Sequence, residues 1–384
     1  MSMRKTESST MIALVLLLLF FFSGSGYRVL ATASLGINYG KVANNLPAPA
    51  EVVRIIQSIS LSKAKLYDTD PLVLKTFRNT GISFLVAVKN EDLGSLSEQA
   101  AAMTWVQQNI LVYYPDTQII GIVVGNEIFS QTSTNQWPQV LPAMLNIYAA
   151  LMHLGLQDKI MVSTTHSFSL LSASFPPSTG AFQESLGNTY IKPILSFLSA
   201  TGAPFMINAY PFFAFKDNPT TVSLGYVLFE PNDGFVDSSN GLRYYNMFDA
   251  QLDAVYWAIS RLGYNNVSIL VSETGWPSAG DKDEAGATVG NAQSYHANLF
   301  QHLLKSTGTP LKPNTSLDVY LFALFNEDEK DGAASEKHYG LFQPDGTKVY
   351  SFDFSQLSTG FFHRCYLAFA VICLIGTWIG FLNL

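Results

Sequence analysis

Eight short, nearly unbroken apolar runs organise this chain: "LGINYG" (35–40), "KAKLYD" (63–68), "ISFLVAV" (82–88), "IIGIVVGNE" (119–127), "KIMVSTTH" (159–166), "PFMINAYP" (204–211), "VSILVSETGWP" (267–277) and "DVYLFALFNE" (318–327). Runs without strict alternation suit strands buried on both faces, as in a parallel sheet covered by helices. Between them the apolar period becomes helical. Phe248, Leu252, Val255, Ile259 and Leu262 recur at four, three, four and three before Gly263, which predicts an amphipathic helix with a glycine stop. Ser95 and Glu98 read as a capping box ahead of Ala102, Trp105, Val106 and Val112. The segments 47–60, 138–154 and 287–305 can each hold one helix. Eight strands alternating with helices predict a (β/α)8 TIM barrel. The competing open doubly wound sheet lacks a glycine-rich phosphate loop after its first strand.

The connection after the sixth strand, about 212–245, is too long for a structureless loop and predicts a small inserted subdomain. Its Asn240-Gly241 pair marks a hairpin. "YGLFQPDGTKVY" (339–350) reads as a closing hairpin turning at Pro-Asp-Gly.

Of 384 residues, 48% are hydrophobic and 13% charged, and the net charge is −7. That supports a large core and gives no basic footprint for nucleic acid. The first segment carries Arg4 and Lys5, an apolar stretch from Ile12 to Phe22, and Ala31 and Ala33 in small-x-small spacing. It reads as a signal peptide, residues 1–33, too short in its apolar part to span a bilayer. The last segment, 358–384, places the small residues Ser358, Thr359 and Gly360 before an apolar stretch reaching Leu382. It is expected to be a GPI-attachment signal, with a spanning anchor or vacuolar sorting tail as alternatives. Between them, 34–357 is expected to form the globular domain, a secreted monomer at the outer face of the plasma membrane or in the cell wall. Membrane contact would come only through the lipid anchor. Both cysteines, Cys365 and Cys373, fall in the tail, leaving the domain without disulfide or thiolate chemistry. Asn266-Val-Ser and Asn314-Thr-Ser are glycosylation acceptors in a secretory context.

In a barrel, the polar residues closing the runs converge on one face, where barrel enzymes place their chemistry. These are Tyr39, Tyr67, Asp68, Asn126, Glu127, His166, Asn208, Tyr210, Glu273, Trp276, Asn326 and Glu327. Carboxylates, amides and flat rings in one cup suit sugar. Glu127 on strand four and Glu273 on strand seven can face each other across a bound bond, the minimal equipment for glycoside hydrolysis. Trp276 is expected either as a stacking platform or as rim packing, and Phe212, Phe213 and Phe215 divide between core and cleft in a way the sequence leaves open. His166 reads as a structural hydrogen-bonding residue. No His, Asp and Glu cluster has metal spacing, so neither metal nor cofactor is expected.

The strings "LGINYG", "KLYD", "VVGNE", "INAYPFF", "LVSETGWPS", "FALFNED" and "YGLF" closely resemble the successive motifs of the plant endo-1,3-β-glucanases, the family 17 glycoside hydrolases, over about residues 34–354. The resemblance implies endo-acting, retaining hydrolysis of internal 1,3-β-glucosidic bonds in glucans such as callose, laminarin or fungal wall glucan. It implies Glu127 as general acid and base and Glu273 as nucleophile. It implies that Tyr39, Tyr67, Asn126, Tyr210 and Phe213 line the cleft and that Glu327, Lys330 and Glu336 form a charged cluster beside the nucleophile. No carbohydrate-binding module with its own cysteines follows the barrel, a departure that bears on accessory glucan binding. Those roles require Glu127 to be protonated through burial and the opposing charge of Glu273, and Glu273 to be held ionised by donors such as Tyr210 and Lys330. A retaining mechanism places the two carboxyl groups about 5–5.5 Å apart. A non-hydrolytic glucan-binding scaffold, and the same chemistry on mixed-linkage glucan or as transglycosylation, are the rival expectations.

Overall fold

The structure, a computed structural model, describes residues 34–305 and 307–354. The expected leader and C-terminal signal lie outside them. Eight parallel strands close on themselves in chain order: β1 (Ser34–Tyr39), β2 (Lys63–Leu66), β3 (Ser83–Val88), β4 (Gln118–Asn126), β5 (Met161–Ser167), β6 (Phe205–Asn208), β7 (Ile269–Thr274) and β8 (Asp318–Leu321), with β8 returning to pair β1. Each apolar run of the sequence supplies one strand. The open-sheet alternative is thereby excluded.

The two strand faces explain why the runs do not alternate. Leu85, Ala87, Val123, Met206, Leu270 and Tyr320 meet in an inner cluster. Space for the Tyr320 ring comes from Gly36 on β1, where an added Cβ would lie 2.5 Å from Tyr320 Cε1. The other strand face packs on the surrounding helices α1 (Pro49–Ser58), α2 (Pro71–Thr76), α3 (Gln99–Val106), α4 (Val140–His153), α5 (Lys192–Thr201), α6 (Met247–Arg261) and α7 (Val289–Lys305). α6 shows the local logic. The Asn246 side chain accepts from Asp249 N at 2.7 Å and caps its start, and Phe248, Leu252, Val255 and Ile259 are buried along one stripe. Gly263, at φ 93°, follows its end. Each such side chain contributes about 1.5–3 kcal/mol by leaving water.

The capping box expected at Ser95 and Glu98 does not form. Ser95 sits inside the short helix Leu93–Leu96 with its Oγ donating to Asp92 O, and Glu98 precedes α3 without a side-chain cap. α3 ends at Val106 in a π-turn, leaving Val112 exposed. The local hydroxyl-to-carbonyl bond outcompetes the cap.

Between β6 and α6 the chain forms a helix over Pro211–Asp217, a turn over Leu224–Val227 and a small antiparallel pair, Phe235–Val236 with Arg243–Tyr244. Its turn runs through Asn240 and Gly241, where Gly241 has φ 74° and Asp237 N bonds Leu242 O. A second antiparallel pair, Leu171–Ala173 with Ala181–Phe182, follows β5 and carried no sequence signal. The buried Asp237 carboxylate fastens the two excursions together by accepting from Ser178 N and Oγ at 2.8 and 2.9 Å. Past β8, Gln343 N bonds Thr347 O across the Pro344-Asp345-Gly346 turn, the expected closing hairpin.

Candidate active site

Strand ends build the site. At the close of β4 the backbone turns through Gly125 at φ 76° and Glu127 at φ 52°, a left-handed conformation that a glutamate adopts only under external constraint. Part of that constraint is visible: Glu127 N donates to Thr165 O on β5, and Ser130 donates back to Glu127 O through both N and Oγ. The turn carries the Glu127 carboxyl to a cleft of about 810 Å³. There Asn208, on β6, donates from Nδ2 to Glu127 Oε1 at 2.8 Å and is itself oriented by Ser272 Oγ donating to its Oδ1 at 2.7 Å.

Glu273 reaches the same cleft from β7, at only 6% exposure. Three side chains donate to it: Lys65 Nζ to Oε1 at 2.8 Å, Tyr67 Oη to Oε1 at 2.7 Å and Tyr210 Oη to Oε2 at 2.9 Å. Tyr210 and Lys330 are the donors expected there; Tyr210 is one of the three, and Lys330 is not among them. Lys330 lies 3.9 Å from Glu327 and over the Phe322 ring, and the cation beside Glu273 is the fully buried Lys65. A barrel strand shows the reason. Lys65 on β2 and Tyr67 just past its end are two apart, so both turn to the inner side. A lysine in mid-strand, between Ala64 and Leu66, was the signal available for Lys65.

Electrostatics separates the two carboxyls. Burial pushes Glu127 up to about 7, assisted by the charge of Glu273 and opposed by the Asn208 bond and by Lys65. Burial also acts upward on Glu273, but Lys65 and the two tyrosine hydrogen bonds outweigh it and hold this carboxyl below its ordinary value. Burial and the neighbouring Glu273 charge raise Tyr67 and Tyr210, keeping both hydroxyls protonated as donors.

Of the other residues singled out, Tyr39, Asn126, Phe213, Glu327, Lys330 and Glu336 also line this cleft. Tyr39 packs its ring edge-on to Phe325. Glu327 accepts from Val42 N at 2.6 Å, and Gly40 leaves room for this carboxylate, which a Cβ there would displace. Burial raises Glu327 and Glu336 alike, and Lys330 counters in both. Glu336 is carried by a loop that the buried Glu284 fastens, accepting from Ser335 N at 2.9 Å and from Ser335 Oγ at 2.5 Å. Nothing in the sequence pattern marked Glu284.

Trp276 is not a stacking platform. It is fully buried, donates Nε1 to Gly286 O at 2.8 Å, and packs against Phe212, Phe215 and Tyr295. Past β7 the chain turns outward, so a residue three beyond Glu273 enters the layer behind the rim. Phe212 and Phe215 belong to the core while Phe213 faces the cleft. His166 also differs from expectation. It is buried, both ring nitrogens lack partners, and its ring stacks between Phe129 and Phe205 at 5.7 and 4.4 Å, with burial pushing it down to about 3. Asn266 and Asn314 are exposed, away from the cleft.

A closed (β/α)8 barrel whose mouth presents one carboxyl biased toward protonation and another held ionised is the working arrangement of a glycoside hydrolase. The comparisons narrow this class: residues 35–354 match the glycosyl hydrolases family 17, and the chain belongs to that family. Glucan endo-1,3-beta-glucosidase 11 of Arabidopsis thaliana is 49% identical over 326 residues, 84% of this chain and 76% of that protein. Glucan endo-1,3-beta-glucosidase 14 of the same plant is 46% identical over 347 residues, 90% of this chain and 88% of that one. Among solved structures, CJP38, a beta-1,3-glucanase and allergen of Cryptomeria japonica pollen, superposes with a TM-score of 0.80 at 40% identity, covering 84% of this chain and 99% of that one.

Proposed function

We propose that this protein is an endo-acting hydrolase of internal 1,3-β-glucosidic bonds that works with retention, Glu127 serving as acid and base and Glu273 as nucleophile. The observation that carries the reading is the opposed bias of two carboxyls bordering one cleft, Glu127 pushed up to about 7 and Glu273 held down by Lys65, Tyr67 and Tyr210. The 1,3-β linkage rests on the names of the relatives.

Glu127 protonates the glycosidic oxygen as the bond to the anomeric carbon breaks. Glu273 attacks that carbon from the other face and forms a glycosyl-enzyme ester. Glu127, now ionised, takes a proton from the water that displaces Glu273. Charge on Glu273 is greatest before attack and after release, where the three donors stabilise it. Asn208 supports Glu127 in the ionised stage of the cycle.

The test is release of oligosaccharides from laminarin, with proton NMR following the anomer first formed. The β-anomer should appear first, and E127Q and E273Q should each lose activity by several orders of magnitude. An initial α-anomer would overturn retention, and full activity in either variant would overturn the assignment of roles. For cellular placement, the chain pattern supports a secreted protein tethered by a glycolipid. Release from membranes by a phosphatidylinositol-specific phospholipase would support the tether, and persistence after treatment would remove it.

A further inference from the structure

Buried polar atoms without partners are exceptional, and each calls for an explanation. Among the described residues, three such atoms belong to side chains lining the cleft: Asn126 Oδ1, Tyr339 Oη and Gln251 Oε1. Asn126 adjoins Glu127 in the chain, and the Tyr339 ring lies 5.7 Å from that of Tyr210, so both belong to the neighbourhood of the carboxyl pair. Gln251 is different. It comes from α6, outside the barrel strands, and lines the same cleft as Phe213, Ala214 and Asp217 of the 211–217 helix, which α6 contacts. Only 7% of it is exposed, and its amide oxygen accepts nothing from the protein.

A primary amide held in a cleft wall with an unmet oxygen is matched to a hydroxyl, which both donates and accepts. The terminal torsion of glutamine is broad and roughly two-fold, so either end of the amide can be turned to a ligand at little cost. The adjacent surface supplies the other half of a sugar position. Phe213 is 36% exposed, its ring flanked by Tyr210 and Phe212 at 5.5 Å each, with the Lys216 ammonium 5.5 Å from the ring centre on one side, and the small Ala214 follows it on the cleft wall. An aromatic face with an adjacent amide recognises a pyranose through its C–H face and one rim hydroxyl.

We propose that Gln251 is a specificity-determining residue that hydrogen-bonds a hydroxyl of a glucosyl unit stacked near Phe213, and that this contact sets how strongly the enzyme prefers longer glucan chains. The inference rests on the glucanase reading above and adds a residue that neither the strand-end pattern nor the motifs contain. A substrate too short to reach the position leaves the amide unmet, while one that fills it gains a hydrogen bond and relieves a buried orphan.

The experiment compares kcat/KM for a ladder of 1,3-β-gluco-oligosaccharides from three to seven units in wild type and Gln251→Met, which keeps the length and removes the amide. In Q251M the ratio of kcat/KM for long over short chains should fall about three- to tenfold, the worth of one hydrogen bond, with melting temperature retained. A proportional drop at every length, or an unchanged ratio, overturns the inference. Should Q251M fail to fold, Ala214→Leu adds bulk to the same cleft wall without altering Gln251, and the same fall in ratio is expected. An unchanged ratio in A214L then counts against it. Wild type inactive on the whole ladder would instead sink the glucanase reading, so the two failures are distinct.

Discussion

Lys65→Met is the most informative single change outside the two glutamates. Methionine keeps most of the apolar stem and removes the ammonium, with both its charge and its hydrogen bond to Glu273. Lys65 is fully buried and Glu273 is 6% exposed, so no solvent replaces the lost cation. Breaking a buried pair from one side costs about 3–5 kcal/mol because the remaining charge is left uncompensated. Glu273 escapes that cost by taking a proton, since burial, its largest influence, already acts upward and only the Tyr67 and Tyr210 bonds still oppose it. The acidic limb of kcat/KM should therefore move to higher pH, and near pH 5 activity should fall about 10²–10⁴-fold by that energy. Lys65→Arg, which restores the charge, should recover most of it. Stability follows the same linkage. In wild type the depressed Glu273 carboxyl contributes stability above the ordinary carboxylate range and loses it as pH falls through the folded value. The melting-temperature deficit of K65M should thus be largest near neutral pH and shrink in acid. An acidic limb that stays in place, with the loss confined to KM, would refute this account of how Glu273 is kept ionised.

Further outcomes follow from neighbouring contacts. In wild type kcat/KM should decline above about pH 7 as Glu127 gives up its proton, and Asn208→Ala, which removes a bond favouring the ionised form, should shift that decline upward in a pH-rate profile. A downward shift would contradict the assignment. Trp276→Phe should lower thermal stability by about 0.5–1.5 kcal/mol through loss of one hydrogen bond, since Gly286 O keeps Asn291 Nδ2 as a donor, while leaving KM for laminarin unchanged, and Phe213→Ala should raise KM with little change in stability. A KM effect in W276F would return Trp276 to the cleft.

Much of this architecture is legible in the chain because barrel strands buried on both faces must be short and apolar, and their ends must be polar. The eight runs locate β1 to β8, and the amphipathic period around Phe248 locates α6. Glu127 and Glu273 stand out as acids that close buried strands. What escapes is anything decided by contacts between distant segments. Lys65 was hidden because its strand was read for apolarity, and the pairing with Glu273 spans most of the barrel. Trp276 stayed open between platform and packing because distance along the chain from Glu273 does not reveal the outward turn after β7. Asn208 was readable as a strand-end amide, but its orientation by Ser272 is a tertiary fact.

The pairing of Ser34 with Asp318 has a consequence for biogenesis. The first strand of the ring finds its second neighbour only after nearly the whole domain has been made, so a chain emerging from the ribosome holds an open, curved sheet with two bare edges. Such an intermediate is exposed to edge-to-edge association until β8 arrives. Removal of β1 would leave that hazard permanently in the finished molecule.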